Sequence, residues 1–129
     1  MREAWGVNMK GQNISDRLLD FSVRIGKVVD RLPDTRLGRH VAGQLVRCGT
    51  SPAPNYEEAR VAESRADFVH KLKICLKEIR ESHVWLRLIV KSEMIPDDLM
   101  AELVDECDQL GKVIGSSIVT TNKNAKSKK

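Results

Sequence analysis

The stretch SRADFVHKLKICLKEIRESHVWLRLIVKS, residues 64–92, decides the fold. Phe68, Leu72, Cys75, Leu76, Ile79, Leu86 and Val90 recur at helical spacing, so an α-helix gathers them on one core-facing side. Ser64 with Asp67 three residues later is a start signal, a hydroxyl cap with a carboxylate at the third helical position. A second side carries Lys73, Lys77, Arg80, Arg87 and Lys91 at spacings of 4, 3, 7 and 4. At 100° per residue they fall within about 40° on either side of Lys73, a continuous basic stripe. A third side holds Ile74, Trp85 and Leu88, with Glu78 and Glu81 among them. A helix of a monomeric bundle usually has one apolar stripe. A second one built around a tryptophan points to a subunit interface centred on Ile74, Trp85 and Leu88. A locally covered surface, under residues 1–14, is the other reading of the same patch.

Outward from this segment the helical signals continue. Towards the C-terminus, Lys91 to Pro96 is a short connection, and Pro96, Asp97 and Asp98 open a last helix. Proline and acids suit a helix start, where the first N–H groups lack intrahelical acceptors and carry partial positive charge. Leu99, Met100, Leu103, Cys107, Leu110, Ile114 and Ile118 give that helix its core stripe. Towards the N-terminus, Ser15 is a candidate cap for a first helix reaching about Leu32. Its stripe is Leu18, Phe21, Ile25, Val28, Val29 and Leu32. Pro33-Asp34-Thr35 ends it, and so short a break makes the second helix, about 36–48, an antiparallel neighbour. That second helix should bury Leu37, Val41, Leu45 and Cys48, with Gly49 as its stop. Ser51 followed by Pro52 and Pro54 reads as a capped helix start over about 52–61, because proline in a first turn loses no intrahelical bond. Whether this segment runs on into 64–92 or bends near 62–64 is open. No alternating run suggests a strand, and there is no internal repeat. The expectation is an all-α, up-down antiparallel four-helix bundle. A lead-in over 1–14, a bundle over 15–120 and a Lys-rich flexible tail over 121–129 divide the chain. Met9 is an alternative start.

Composition bounds the function. The chain has 129 residues, 41% hydrophobic and 31% charged, an ordinary globular balance for one domain. No apolar run approaches the roughly 18 residues that span a bilayer. The first residues, MREAWGVNMKGQNIS, contain no apolar signal core, so a cytoplasmic location is expected. Cys48, Cys75 and Cys107 are odd in number and far apart, which suits reduced, packed thiols. Net charge is +4 and the pI near 9.1. Lys123, Lys126, Lys128 and Lys129 account for all of it, since the remaining 18 basic residues equal the 18 acidic ones. The last helix is acidic, with Asp97, Asp98, Glu102, Asp105, Glu106 and Asp108. Antiparallel neighbours of opposite charge can therefore pair along their rim, which competes with a nucleic-acid role for the basic stripe.

Catalytic patterns are absent. There is no GxxxxGK[ST], GxGxxG or GxSxG. His40, His70 and His83 lack ligand spacing, and no Glu stands three residues before any of them, so no di-iron motif forms. Asp67-Phe68-Val69-His70 is the nearest approach. Glu57 and Glu58 near Arg47 and Asn55 make the most suggestive cluster, but acids in the first turns of a helix are explained by its dipole. The reading is therefore no enzyme, no metal and no cofactor.

Two motifs carry a resemblance. Gln44 to Ala59, QLVRCGTSPAPNYEEA, and Glu63 to Glu78, ESRADFVHKLKICLKE, occur in order and at the expected separation. Together they make the chain resemble the four-helix-bundle proteins first noticed in intervening sequences of bacterial 23S rRNA genes, over about residues 13–120. Pro54 departs from the pattern, where a small residue is expected. The resemblance implies an up-down bundle assembling as a ring-like homopentamer. It also implies kinship with accessory proteins of diversity-generating retroelements, which are thought to bind nucleic acid and a reverse transcriptase. It supplies no catalytic residue. The expected function is a non-enzymatic homo-oligomer whose basic stripe contacts RNA or DNA backbone. Sequence-specific stacking is not expected, because only five residues are aromatic. The alternative is a scaffold that binds a protein, such as a polymerase, and no nucleic acid.

Overall fold

The structure, a computed structural model, describes residues 9–127, with side chains over 13–125. Five helical segments follow in order: α1 (Met9–Arg31), α2 (Arg36–Thr50), α3 (Pro52–Arg60), α4 (Arg65–Lys91) and α5 (Asp97–Ser127). No strand occurs among the described residues. α2 and α3 form one rod with a joint at Ser51-Pro52. Ser51 keeps right-handed helical angles, φ −75° and ψ −36°, and its side chain does not cap α3. The joint arises because Pro52 and Pro54 lack N–H groups and interrupt the backbone ladder. Asn55 spans the gap: its backbone N–H reaches the Ser51 carbonyl at 3.3 Å, and its side-chain amide reaches the Ser51 carbonyl and hydroxyl at 3.0 Å.

Four rods thus run up, down, up, down. Near one end of the bundle Ser15 of α1 meets Glu57 of α3, and along the same seam Ser22 donates to the Gly49 carbonyl at 3.3 Å, so α1 and the α2–α3 rod are antiparallel. Cys75 of α4 reaches the Pro52 carbonyl at 3.1 Å and Ser82 reaches Cys48 at 3.3 Å. α5 closes the bundle, with Cys107 donating to the Ile79 carbonyl at 3.4 Å and Arg17 of α1 paired to Glu106 at 2.8 Å.

The core is the expected set of stripes. Leu18, Phe21 and Ile25, Val41 and Leu45, Leu72, Ile79 and Leu86, and Met100, Leu110 and Ile114 are buried. Each such side chain contributes about 1.5–3 kcal/mol by leaving water, which is what holds helices of modest intrinsic stability in place. Two assignments differ. Leu37 is 45% exposed and Leu99 is 50% exposed. Both lie off the buried face of their helices, one position before the buried Gly38 and Met100. Gly38, not Leu37, lies inside, because a Cβ there would stand 2.0 Å from the Pro33 carbonyl oxygen.

Helix ends bring further corrections. Ser15 does not cap α1, which begins at Met9. Its hydroxyl is used across helices instead, donating to Glu57 and accepting from Arg60 at 2.9 Å. Gly49 does not stop α2, which continues to Thr50. It is buried because a Cβ there would lie 2.7 Å from Ile25 Cγ2. Glycine here serves close helix approach, not termination. The bend left open by the sequence lies at residues 61–64. Ser64 accepts from the Asp67 N–H at 3.0 Å and caps α4. α4 ends in a Schellman motif: the Glu93 N–H bonds the Val90 carbonyl at 3.1 Å and the Met94 N–H bonds the Ile89 carbonyl at 3.2 Å. Glu93 occupies the left-handed position at φ 56°. α5 runs on to Ser127, so residues 121–127 of the expected tail are helical. Residues 1–8 of the expected lead-in, and Lys128 and Lys129, lie outside the described residues.

Candidate nucleic-acid interface

Arg80, Arg87 and Lys91 of α4 line its groove with α5, and Lys73 and Lys77 continue the stripe along the helix by their spacing. Lys73, Lys77, Arg80, Arg87 and Lys91 are all exposed. None forms an ion pair among the described residues, and the α5 acids Glu106 and Asp108 are paired elsewhere. Glu106 holds Arg17 of α1 through two contacts, at 2.8 and 3.0 Å, and Asp108 holds Lys112 of its own helix at 3.0 Å. The rim pairing allowed by the sequence therefore does not form as direct contacts. Its trace is electrostatic. The Asp108 carboxyl is held below its usual range first by the hydrogen bond from Lys112, and also by the nearby charges of His83 and Arg80 across the groove.

Among the described residues, depressions follow one another along the groove between α4 and α5. Arg87, Val90, Lys91, Asp97, Ala101 and Val104 line one end. Arg80, His83, Val84, Asp108 and Gly111 line the middle, with Ile79 and Cys107 as its floor. Leu76, Gly115, Ser116, Ile118 and Val119 line the other end. His83 is half-buried on this wall.

Ile74, Trp85 and Leu88 lie on the opposite flank of α4, towards α2, and all three are half-buried. Trp85 and Leu88 pack partly on the protein's own core. The Trp85 indole N–H donates to Glu81 Oε2 at 3.1 Å, and its ring meets the ring of His40 edge-on, centroids 5.7 Å apart at 77°. Arg47 of α2 completes this seam by reaching Glu78 at 3.0 Å and Glu81 at 2.6 Å. The guanidinium pKa is raised, chiefly by its hydrogen bond to Glu81. The Glu81 carboxyl is lowered, first by the Trp85 N–H and then by Arg47.

This network went unseen in the sequence, and it breaks up the cluster that the sequence suggested. Arg47 does not join Glu57 and Glu58. Glu57 holds Ser15 and Arg60, and Glu58 holds Lys71 at 2.7 Å. No single-chain signal pairs Arg47 with residues more than 30 positions away.

Among the described residues no group of His, Cys, Asp or Glu is arranged to hold a metal ion. The three cysteines are buried and unpaired with one another. Burial pushes the Cys75 and Cys107 thiols up to about 12, and raises Cys48 as well. Protonated and enclosed, they are packing groups rather than nucleophiles. No described helix is long and apolar enough to cross a membrane.

No curated protein matches the chain. It is similar to the crystal structure of a protein of unknown function of the S23 ribosomal protein family from Bacteroides thetaiotaomicron. The TM-score is 0.76 at 34% sequence identity, covering 81% of this chain and 97% of that one. Residues 11–116 match the family described as 23S rRNA-intervening sequence protein. With the motifs over 44–59 and 63–78 lying inside that span and the bundle built around them, the chain belongs to the 23S rRNA-intervening sequence protein family.

Proposed function

We propose that the protein is a cytoplasmic, homo-oligomeric, non-enzymatic accessory bundle, assembled as a pentamer, that contacts the phosphodiester backbone of RNA or DNA through Lys73, Lys77, Arg80, Arg87 and Lys91. The observation that carries this reading is their state: five exposed cations on one helix flank, none drawn into an ion pair among the described residues. Lys73 to Lys91 spans about 27 Å along α4. A row of that length neutralises several phosphates and releases their counterions, which provides affinity without base recognition. Ile74, Trp85 and Leu88 are the proposed subunit contact, half-buried in the protomer and flanked by the Arg47–Glu78–Glu81 bridge.

A second reading rests on the facing wall. Asp97, Asp98, Glu102 and Asp105 of α5 are exposed and give the groove two signs of charge, which favours a protein partner, such as a polymerase, over a polyanion. Fluorescence anisotropy of labelled structured RNA and duplex DNA, at low and moderate salt, separates the two. Binding by the full chain that weakens with salt and persists in a chain ending at Thr121 supports backbone contact by the folded body. Absence of binding, or its complete loss with the last eight residues, favours the protein-interaction scaffold. For assembly, Trp85→Ala should shift the solution mass towards monomer; an unchanged mass removes Trp85 as the anchor.

A further inference from the structure

The stripe on α4 is uniform in sequence but not in its surroundings. α4 and α5 are antiparallel, so each stripe residue faces a defined part of α5. Lys91 and Arg87 share their depression with Asp97, and Arg80 stands by Asp108. Asp105, one turn before Gln109, lies on the same half of α5, as do Asp98 and Glu102. At the other end of the groove, on the α4 level of Lys73 and Lys77 by helical spacing, a depression is lined by Leu76 of α4 and by Gly115, Ser116, Ile118, Val119 and Thr120 of α5. From Lys112 to Lys129 the sequence contains no acid at all. On α4, Asp67, Glu78 and Glu81 lie near this level: Glu78 and Glu81 are held by Arg47 on the flank towards α2, with Glu81 also sensing Lys77, and Asp67 belongs to the Ser64 cap.

α5 adds charge to this acid-free half. It remains helical to Ser127, which carries it past the matched family span ending at residue 116. Lys123 is exposed and stands one turn beyond Val119, seven residues after Ser116, so helical geometry keeps it on the flank that lines the groove. Lys126, Lys128 and Lys129 follow it in sequence.

We infer that the polyanion footprint is confined to this half of the α4–α5 groove, made by Lys73 and Lys77 of α4 with Lys123 of α5, and that Arg87 and Lys91 stand outside it. The physical reason is local. A phosphate brought to Arg87 or Lys91 also approaches Asp97 and its acidic neighbours, and that repulsion offsets the attraction. A phosphate brought to Lys73 or Lys123 meets no acid of the groove, and at Lys77 the nearby Glu81 carboxylate is already engaged by Arg47 and the Trp85 N–H. The α5 extension is thus part of the binding surface. This inference rests on the proposed backbone contact and narrows it to particular residues and to a nucleic-acid backbone as occupant.

The test uses the full chain, a labelled RNA duplex and a labelled DNA duplex, and measures the slope of log Kd against log salt for each variant. Because each phosphate contact adds about 0.9 to the slope on duplex DNA, Lys73→Gln/Lys77→Gln should lower it by about 1.8 and Lys123→Gln by about 0.9. Arg87→Gln/Lys91→Gln should leave it within a few tenths. Circular dichroism of each variant checks that the helices persist, which is expected for exposed substitutions to a good helix former. Equal losses from the Arg87/Lys91 and Lys73/Lys77 pairs would overturn the division of the groove while leaving backbone contact intact. An unchanged slope in Lys123→Gln would remove α5 from the surface. No binding by the unmodified chain at low salt would overturn both this inference and the reading it rests on.

Discussion

Replacing Gly49 with alanine sets two opposed effects against each other in one position. Alanine in a helix interior is favoured over glycine by roughly 0.5–1 kcal/mol, because glycine loses more backbone freedom on folding. Here the added Cβ would lie 2.7 Å from Cγ2 and 2.9 Å from Cγ1 of Ile25. Ile25 is fully buried and β-branched, so it has no other rotamer to move into without disturbing Phe21 and the rest of the stripe. Overpacking of this kind costs about 1–3 kcal/mol. The packing cost should prevail, leaving Gly49→Ala less stable by about 1–2 kcal/mol. Gly43, in the same helix, meets nothing within 4 Å, so Gly43→Ala should show only the propensity gain. The two variants should therefore move in opposite directions in urea unfolding followed by circular dichroism. Protein concentration must be held constant, since assembly contributes to apparent stability. In an Ile25→Ala background the obstruction is gone, and Gly49→Ala should become neutral or favourable, a coupling of about 1–3 kcal/mol. Equal stabilisation by Gly49→Ala and Gly43→Ala would show that α1 and α2 do not approach as closely as described, and the argument would fail.

Two further outcomes follow from local geometry. Glu93 holds the left-handed position of the Schellman motif with φ 56°, so Glu93→Gly should raise stability by about 0.5–1 kcal/mol in the same urea assay; a loss would mean that the Glu93 side chain has a role the backbone does not reveal. Glu81 has a folded pKa below its unfolded value, first because of the Trp85 N–H and then Arg47. Its stabilisation is therefore fully present above the unfolded carboxylate pKa and lost as pH falls through the folded one. Trp85→Phe removes the donor and should move the Glu81 titration upward by NMR while flattening the acid limb of the stability profile. A Glu81 titration at the same pH in both proteins would dismiss the indole as its main partner.

The core and the topology were legible in the sequence because both rest on local repetition. Apolar residues at three- and four-residue spacing mark a face wherever the neighbour stands, and Phe21, Leu45, Ile79 and Leu110 lie where that spacing put them. Short breaks at Pro33 and Pro96 oblige consecutive rods to turn back on themselves. The Ser64 cap was equally local, a hydroxyl and an N–H three residues apart. What the sequence alone left hidden depends on which rods face each other and how closely. Gly49 carries the signature of a helix stop, and Ser15 that of a helix start. Only the approach of Ile25 and the nearness of Glu57 and Arg60 give them their actual work. The same holds for the candidate site. The helical repeat aligned Lys73, Lys77, Arg80, Arg87 and Lys91, but it is blind to the charges on another rod. Antiparallel packing places Asp97 and Asp108 on the wall facing one half of that row and an acid-free stretch of α5 beside the other. Arg47 likewise finds Glu78 and Glu81 across more than 30 residues of chain. Periodicity is a property of one helix and can be read along it; pairing is a property of two, and only the folded arrangement brings the partners within reach.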